Sequence, residues 1–309
     1  MAEVICVGIA FLDHVFEGDF ELTGGDLAFA QDFNQYGGGM AATASVAVVR
    51  LGGFASFWGR LGDDETGLQV LAGLKRHRVQ TEYVRLISGA QSPVSSILVN
   101  ADGERHETVF AGRDLEADAS WLPFGRIEDT SAILVDPRWP EAAMPALLSA
   151  YDHRIPAILD GAAGPDPVPR EMIEMASHVV FSRAGLLQYS GRADVRTGLE
   201  AVAATTEARV GVTAGWDGYE WLDEDGAFQS IAALGIPVID RLGARDVFLG
   251  AFALAIGEEK DLGLASRFAN AAAGLKSSKP GGRGAIPCRA EIWERLENSE
   301  PDQTAPPAP

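Results

Sequence analysis

The stretch Asp240-Arg-Leu-Gly-Ala-Arg-Asp-Val-Phe-Leu-Gly250 lies between a Pro-containing apolar segment, Ile236 to Ile239, and an apolar helical pattern from Val247 to Ile256. Gly243, Ala244, Arg245 and Asp246 therefore fall at a helix N-terminus. Free backbone N–H groups and the positive end of the helix dipole there favour an anion, such as a transferring phosphoryl group. A carboxylate at that place, Asp246, can accept a proton from a substrate hydroxyl. Aspartate is also a preferred N-cap residue, so the stretch alone leaves a catalytic base and a helix cap both open.

The rest of the chain bounds what such a site can serve. Its 309 residues, 47% of them hydrophobic, suffice for one large α/β domain with a small appendage. A net charge of -19 repels nucleic acid and anionic membrane over most of the surface. Any anion bound here must meet a locally positive pocket. Cys6 and Cys288 form neither a disulfide framework nor a metal-ligand cluster, and the five histidines show no metal-binding spacing. The opening MAEVICVGIA has no basic leader and is too short an apolar run to span a bilayer. A cytoplasmic protein is expected.

Short apolar runs alternate with helical patterns. Strands are expected at 4–9, 55–58, 132–135, 157–159, 178–181 and 210–213, and helices at 41–50, 65–76, 141–151, 193–205, 247–256 and 265–277. Strands separated by helices mean βαβ units, hence a doubly wound α/β fold whose mostly parallel sheet is covered on both faces. Two regions, 15–36 and 92–111, instead alternate apolar and polar residues around the turn signals Gly24-Gly25 and Asp102-Gly103. They are expected to form a small β-sheet lid over the strand ends of a single domain spanning 1–297, and the polar, Pro-rich end, 298–309, a disordered tail.

Further motifs occur in order along the chain. Gly37-Gly-Gly-Met-Ala-Ala-Thr43 opens a small-residue helix, GRLGDDETG follows from Gly59 to Gly67, and GVTAGWDG runs from Gly211 to Gly218. With Asp13 after the first strand, DRLGARDVFLGAF, and the segment NAAAGLKSSKPGGRGAIP, the chain resembles the ribokinase, or PfkB, family of carbohydrate kinases over nearly its whole length. The resemblance implies a ribokinase-like fold and transfer of a phosphoryl group from ATP, carrying Mg2+, to a sugar hydroxyl. It makes Asp246 the general base, and the N–H groups of Gly243, Ala244, Arg245 and Asp246 an anion hole. Asp13, Gly38, Gly39 and Thr43 would face the sugar. Thr213, Gly215 and Gly218 would lie against the nucleotide, as would Asn270 if it is more than a solvated helix residue.

Three departures from the family pattern bear on activity. Arg241 stands where relatives carry Thr, and Arg245 where they carry the last Gly of the anion-hole motif. Arg245 can neutralise the transferring group or salt-bridge Asp246 and fill the phosphate site. Phe181 to Tyr189 contains no carboxylate where relatives place a Glu that organises Mg2+. Thr43 replaces an Asn that touches the sugar. Arg113 and Arg138 follow lid and strand ends, and a guanidinium facing the crevice suits a carboxylate, phosphate or sulfonate. The wording of the glycine-rich segment and of Asp136-Pro-Arg-Trp-Pro140 also resembles the sulfofructose kinase and ketose kinase branch, which points to a ketose or an anionic sugar. Two other readings remain: a sugar- or nucleotide-binding pseudokinase impaired by Arg245 and the missing Glu, and a nucleoside kinase using Phe29, Phe33 or Tyr36 of the lid. Exposed lid edges also suit a homodimer formed through the lid.

Overall fold

A computed structural model of the chain describes residues 1–20 and 27–298. The Gly24-Gly25 turn and positions 299–309 of the expected tail lie outside the described residues. In chain order the strands are β1 (Glu3–Val7), β2 (Phe11–Glu17), β3 (Asp32–Gly38), β4 (Phe54–Gly62), β5 (Val84–Ile87), β6 (Val94–Val99), β7 (Arg105–Phe110), β8 (Ala132–Val135), β9 (Ala157–Gly161), β10 (His178–Ser182), β11 (Arg209–Thr213), β12 (Tyr219–Leu222) and β13 (Phe228–Ile231). The helices are α1 (Met40–Arg50), α2 (Glu65–Arg76), α3 (Pro140–His153), α4 (Arg170–Met175), α5 (Arg183–Ser190), α6 (Val195–Ala203), α7 (Ala244–Gly257), α8 (Leu262–Ser277) and α9 (Arg289–Glu297).

Nine strands form one sheet in the order β13-β12-β11-β10-β9-β8-β1-β4-β5. It is parallel from β5 to β11, and β12 and β13 run antiparallel at one edge. Alternation along β1 shows how both faces are covered. Val4 and Cys6 join a core with α1, α7 and α8, whereas Ile5 and Val7 join a second core with α3. Chain order reverses on either side of β1, so a crevice opens beyond the carboxyl ends of β1 and β8, the usual ligand position in such sheets.

The lid is a separate four-stranded sheet in the order β3-β2-β6-β7. Its first strand starts earlier than expected, at Phe11, so Asp13 lies within β2 rather than in a turn after β1. Register sets Asp13 opposite Tyr36 on β3 and Ser95 on β6.

Helix α7 is apolar all round, as a helix enclosed by the core must be. Residues Val247 to Ala255 are all buried. Its larger side chains, Val247, Phe248, Leu249, Phe252 and Leu254, each stabilise the fold by about 1.5–3 kcal/mol on leaving water. This burial fixes the helix, and therefore its N-terminus, against α1 and the strand ends.

Candidate functional site

The N-terminus of α7 differs from the capping arrangement the sequence left open. The cap is Gly243, in the left-handed region at φ 70°, and Asp246 is the third helical residue. Arg245 has ordinary helical backbone and carries no φ strain. Ala244 N–H is spent on Arg241 O at 3.1 Å, which removes it from the expected anion hole. The N–H groups of Gly243, Arg245 and Asp246 donate to no described residue, so three open donors remain beside the Asp246 carboxylate.

That carboxylate accepts no hydrogen bond from a described residue. Its pKa is pushed up to about 6, chiefly because burial penalises the charged form. Asp160 adds to the rise, and Arg245 and Arg138 oppose it. A carboxyl raised this far is poised to gain and lose a proton near neutral pH.

Arg245 turns away from Asp246. Its Nη1 lies 2.5 Å from Asp160 Oδ1, its Nη2 donates to Val180 O at 2.7 Å, and its Nε donates to Thr213 Oγ1 at 3.2 Å. Successive strands β9, β10 and β11 thus hold one guanidinium. Arg138 faces the same crevice but is already engaged: Nε and Nη2 make a two-pronged pair with the fully buried Asp136 at 2.8 and 2.9 Å. Arg113 does not line the crevice. It is exposed and donates Nη2 to Gln91 Oε1 at 2.6 Å, because the bridge between Gln91 and Arg113 directs this segment along the outside.

A cavity of about 230 Å³ opens onto Asp246 and is walled by Asp13, Gly38, Gly39 and Thr43. Asp13 is 5% exposed and accepts from Ser95 Oγ at 2.7 Å. Burial, with Glu107 adding to it, raises its pKa, and the Ser95 hydrogen bond, then Arg283 and Arg105, pull it back. A Cβ at Gly38 would fall on the Asp13 carboxylate, so any larger residue there has to displace that side chain. Thr43 Oγ1 accepts from Arg283 Nε at 3.1 Å, and Arg283 Nη2 donates to Gly38 O at 2.7 Å. Arg283 has no carboxylate within ion-pair distance among the described residues, and burial lowers its pKa to about 10. On the lid side, Arg105 and Glu107 point from alternate positions of β7 into the same cavity.

A second, more apolar cavity of about 480 Å³ lies on the other side of Arg245. Thr213, Gly215, Gly218 and Asn270 all line it, with Phe248 and Ala273 among its apolar walls. Asn270 donates Nδ2 to Ala232 O at 2.8 Å. The two cavities share Arg241, Ala244 and Arg245, so they meet at the α7 N-terminus.

Two cavities joined at a helix N-terminus beside a raised carboxyl, under a β-sheet lid, form a setting for transfer between two bound molecules. Residues 1–289 match the family described as pfkB family carbohydrate kinase. The chain belongs to that family. It is therefore a carbohydrate kinase, an enzyme that phosphorylates sugars. It is 27% identical over 301 residues to ribokinase of Bacillus subtilis, covering 96% of this chain and all of that protein. It is 27% identical over 314 residues to fructokinase-1 of Zea mays, covering 90% and 94% of the two chains. A crystal structure described as a putative ribokinase from Agrobacterium tumefaciens superposes with a TM-score of 0.90 at 34% identity, covering 96% of this chain and 97% of that one.

Several residues that shape the two cavities are not singled out by motif or spacing in the sequence. Asp136 and Asp160 each end or follow a strand, in Leu-Val-Asp and Ile-Leu-Asp, and a carboxylate at the end of a buried parallel strand was the available signal. Lys276, whose Nζ bonds Asp240 Oδ2 at 2.9 Å, and Arg283 sit in the quoted GLKSSKPGGRG segment. Nothing local in that segment separates them from solvated surface cations. Arg105 and Glu107 were legible only through the alternation of the lid strand.

Proposed function

We propose that this carbohydrate kinase transfers the terminal phosphoryl group of ATP to a hydroxyl of a ketose or an anionic sugar, with Asp246 as general base. The observation that carries this reading is the Asp246 carboxyl, raised to about 6 and free of hydrogen bonds from described residues. It stands beside the open N–H groups of Gly243, Arg245 and Asp246 where the two cavities meet. The acceptor occupies the smaller cavity, its hydroxyls donating to Asp13 and the backbone of Gly38 and Gly39 close against it. The nucleotide occupies the larger one, along Thr213, Gly215, Gly218 and Asn270. Asp246 takes the hydroxyl proton as the oxygen attacks, and the open N–H groups meet the charge on the transferring group. Lid strands β6 and β7 exclude water that would otherwise compete as acceptor.

Bound Mg2+ supplies charge neutralisation on the nucleotide phosphates. Among the described residues no three His, Cys, Asp or Glu side chains form a metal cage, and Phe181 to Tyr189 has no carboxylate. The residues present fit a metal held through phosphate oxygens and water, as Mg2+ commonly is.

Arg245 decides between this reading and a pseudokinase. Its guanidinium is pinned to three adjacent strands, β9, β10 and β11, and leaves Asp246 unpaired, which favours a working enzyme. For the anionic acceptor, the support is the buried Arg283 and the lid residue Arg105, neither ion-paired within the cavity wall. The lid aromatics do not favour a nucleoside: Phe29 and Phe33 are exposed, Tyr36 is half-buried against neighbouring cavities, and none of the three lines the acceptor cavity. A second copy would pair with the open lid edges, β3 or β7, the latter exposed along all six residues. Light scattering at twice the 32.7 kDa of one chain tests that assembly.

The test of function is ADP release with Mg2+ over a panel of ketoses, sugar acids, sugar phosphates and nucleosides. Turnover confined to nucleosides would replace the sugar reading.

A further inference from the structure

Beneath Asp246 the charges alternate as Asp136, Arg138, Asp160, Arg245. Asp136 holds Arg138 through two bonds, and Arg138 Nη2 lies 3.9 Å from Asp160 Oδ2. Asp160 is 1% exposed, accepts from Ala162 N–H at 2.9 Å, and pairs with Arg245 at 2.5 Å. Arg245 is the second residue of α7, next to Asp246 in the chain and in the first helical turn. A cation in a first turn sits against the positive end of the dipole, so the helix itself does not hold that side chain where it is. Without Asp160, the carboxylates left for the two guanidinia are Asp136, already saturated by Arg138, and Asp246.

We propose that Asp160 is a positioning residue for phosphoryl transfer: by drawing the Arg245 side chain back to the end of β9, it keeps the Asp246 carboxylate and the open N–H groups of α7 free for the acceptor hydroxyl and the phosphoryl group. This rests on the reading of Asp246 as base. It explains how a bulky cation is accommodated at a helix N-terminus beside the proposed base, and it assigns Asp160 a role the transfer chemistry alone does not require. Charged groups acting on Asp246 are Asp160, Arg245, Arg138 and Asp13, with Lys276 and Arg283 across the cavity.

The test is a double-mutant cycle of Asp160→Asn and Arg245→Gly, read by kcat, by the acid limb of the pH profile and by thermal unfolding. Asp160→Asn frees Arg245 to pair with Asp246, so kcat falls by at least about ten-fold and the acid limb moves to lower pH. Arg245→Gly alone strips the buried Asp160 of its close partner and leaves it only Arg138 at 3.9 Å and the Ala162 N–H, which lowers Tm and moves the acid limb upward. The double variant removes both charges, and its kcat returns to within about five-fold of the unmodified protein. Losses in the two single variants that simply add in the double variant, an acid limb unmoved in Asp160→Asn, or a double variant that does not fold would each overturn the proposal. Asp246→Asn in the same assay keeps the two claims apart. Full turnover by that variant removes the base reading, whereas loss there with simple additivity in the cycle removes the role of Asp160 alone.

Discussion

The Arg245 guanidinium ends 2.5 Å from Asp160, and not at Asp246, its neighbour in the chain. An aspartate one residue after an arginine at a helix start suggests a local salt bridge. Instead the arginine reaches across to a strand end, and the aspartate is left facing the junction of two cavities. On the proposed reading of Asp246 as base, catalytic competence turns on that choice of partner, and the following outcomes are expected from it.

The base titrates near neutrality. Asp246 is raised from 3.8 to about 6, and only its ionised form accepts a proton, so kcat/KM falls as pH drops through about 6 and is level above it. A pH–rate profile with saturating Mg2+ checks this. An acid limb near pH 4 would mean that the carboxyl is not shielded from water as the structure has it.

Asp246→Asn separates function from stability. Turnover falls by about 10²–10⁴-fold, the usual contribution of a positioned base. Because the folded-state pKa lies above the unfolded value, the folded chain binds the extra proton between about pH 4 and 6, and stability falls as pH rises through that window. At pH 7.5 the ionised carboxylate is a standing cost, so the neutral Asn stabilises by on the order of 3 kcal/mol. Thermal unfolding should show a raised Tm in the inactive variant, with the gain shrinking toward pH 4.

On the proposed reading Asp13 and Gly38, which line the smaller cavity, act on the acceptor alone. Asp13→Asn loses charge-assisted hydrogen bonds and raises the acceptor KM by about 10–100-fold, leaving the nucleotide KM within about two-fold. Gly38→Ala drives a methyl group onto the Asp13 carboxylate, which costs about 1–3 kcal/mol and weakens acceptor binding in the same way. Steady-state kinetics with each substrate varied in turn distinguishes these effects from general damage.

Asn270→Ala does the reverse. It breaks the bond to Ala232 O that shapes the larger cavity, worth about 1 kcal/mol. The nucleotide KM should rise about five-fold with the acceptor KM unchanged.

Much of the fold is legible in the sequence alone. The apolar runs at Ala132 to Val135 and the helix from Glu65 to Arg76 appear with the expected bounds, since their patterns are continuous and their ends carry clear signals. The edge strands β12 and β13 are not legible, although Asp225-Gly226 marks the turn between them, because each is four residues of mixed polarity, neither a continuous apolar run like β8 nor long enough for alternation to show. At the site, Asp246 and Asp13 were legible through ordered motifs. The partner of Arg245 was not, because Asp160 is 85 positions away and its approach depends on how β9 abuts the α7 N-terminus. Arg113 was misplaced for a related reason: periodicity locates a residue after a strand, but not the side of the chain on which its side chain leaves.

The most direct test of a working base at Asp246 is ADP release by the unmodified protein over the acceptor panel, with Asp246→Asn and Arg245→Gly alongside. Turnover by the unmodified protein, lost in Asp246→Asn and not improved in Arg245→Gly, is the expected result. An unmodified protein that binds a sugar without turning it over, and gains turnover as Arg245→Gly, would show instead that Arg245 obstructs the transfer site.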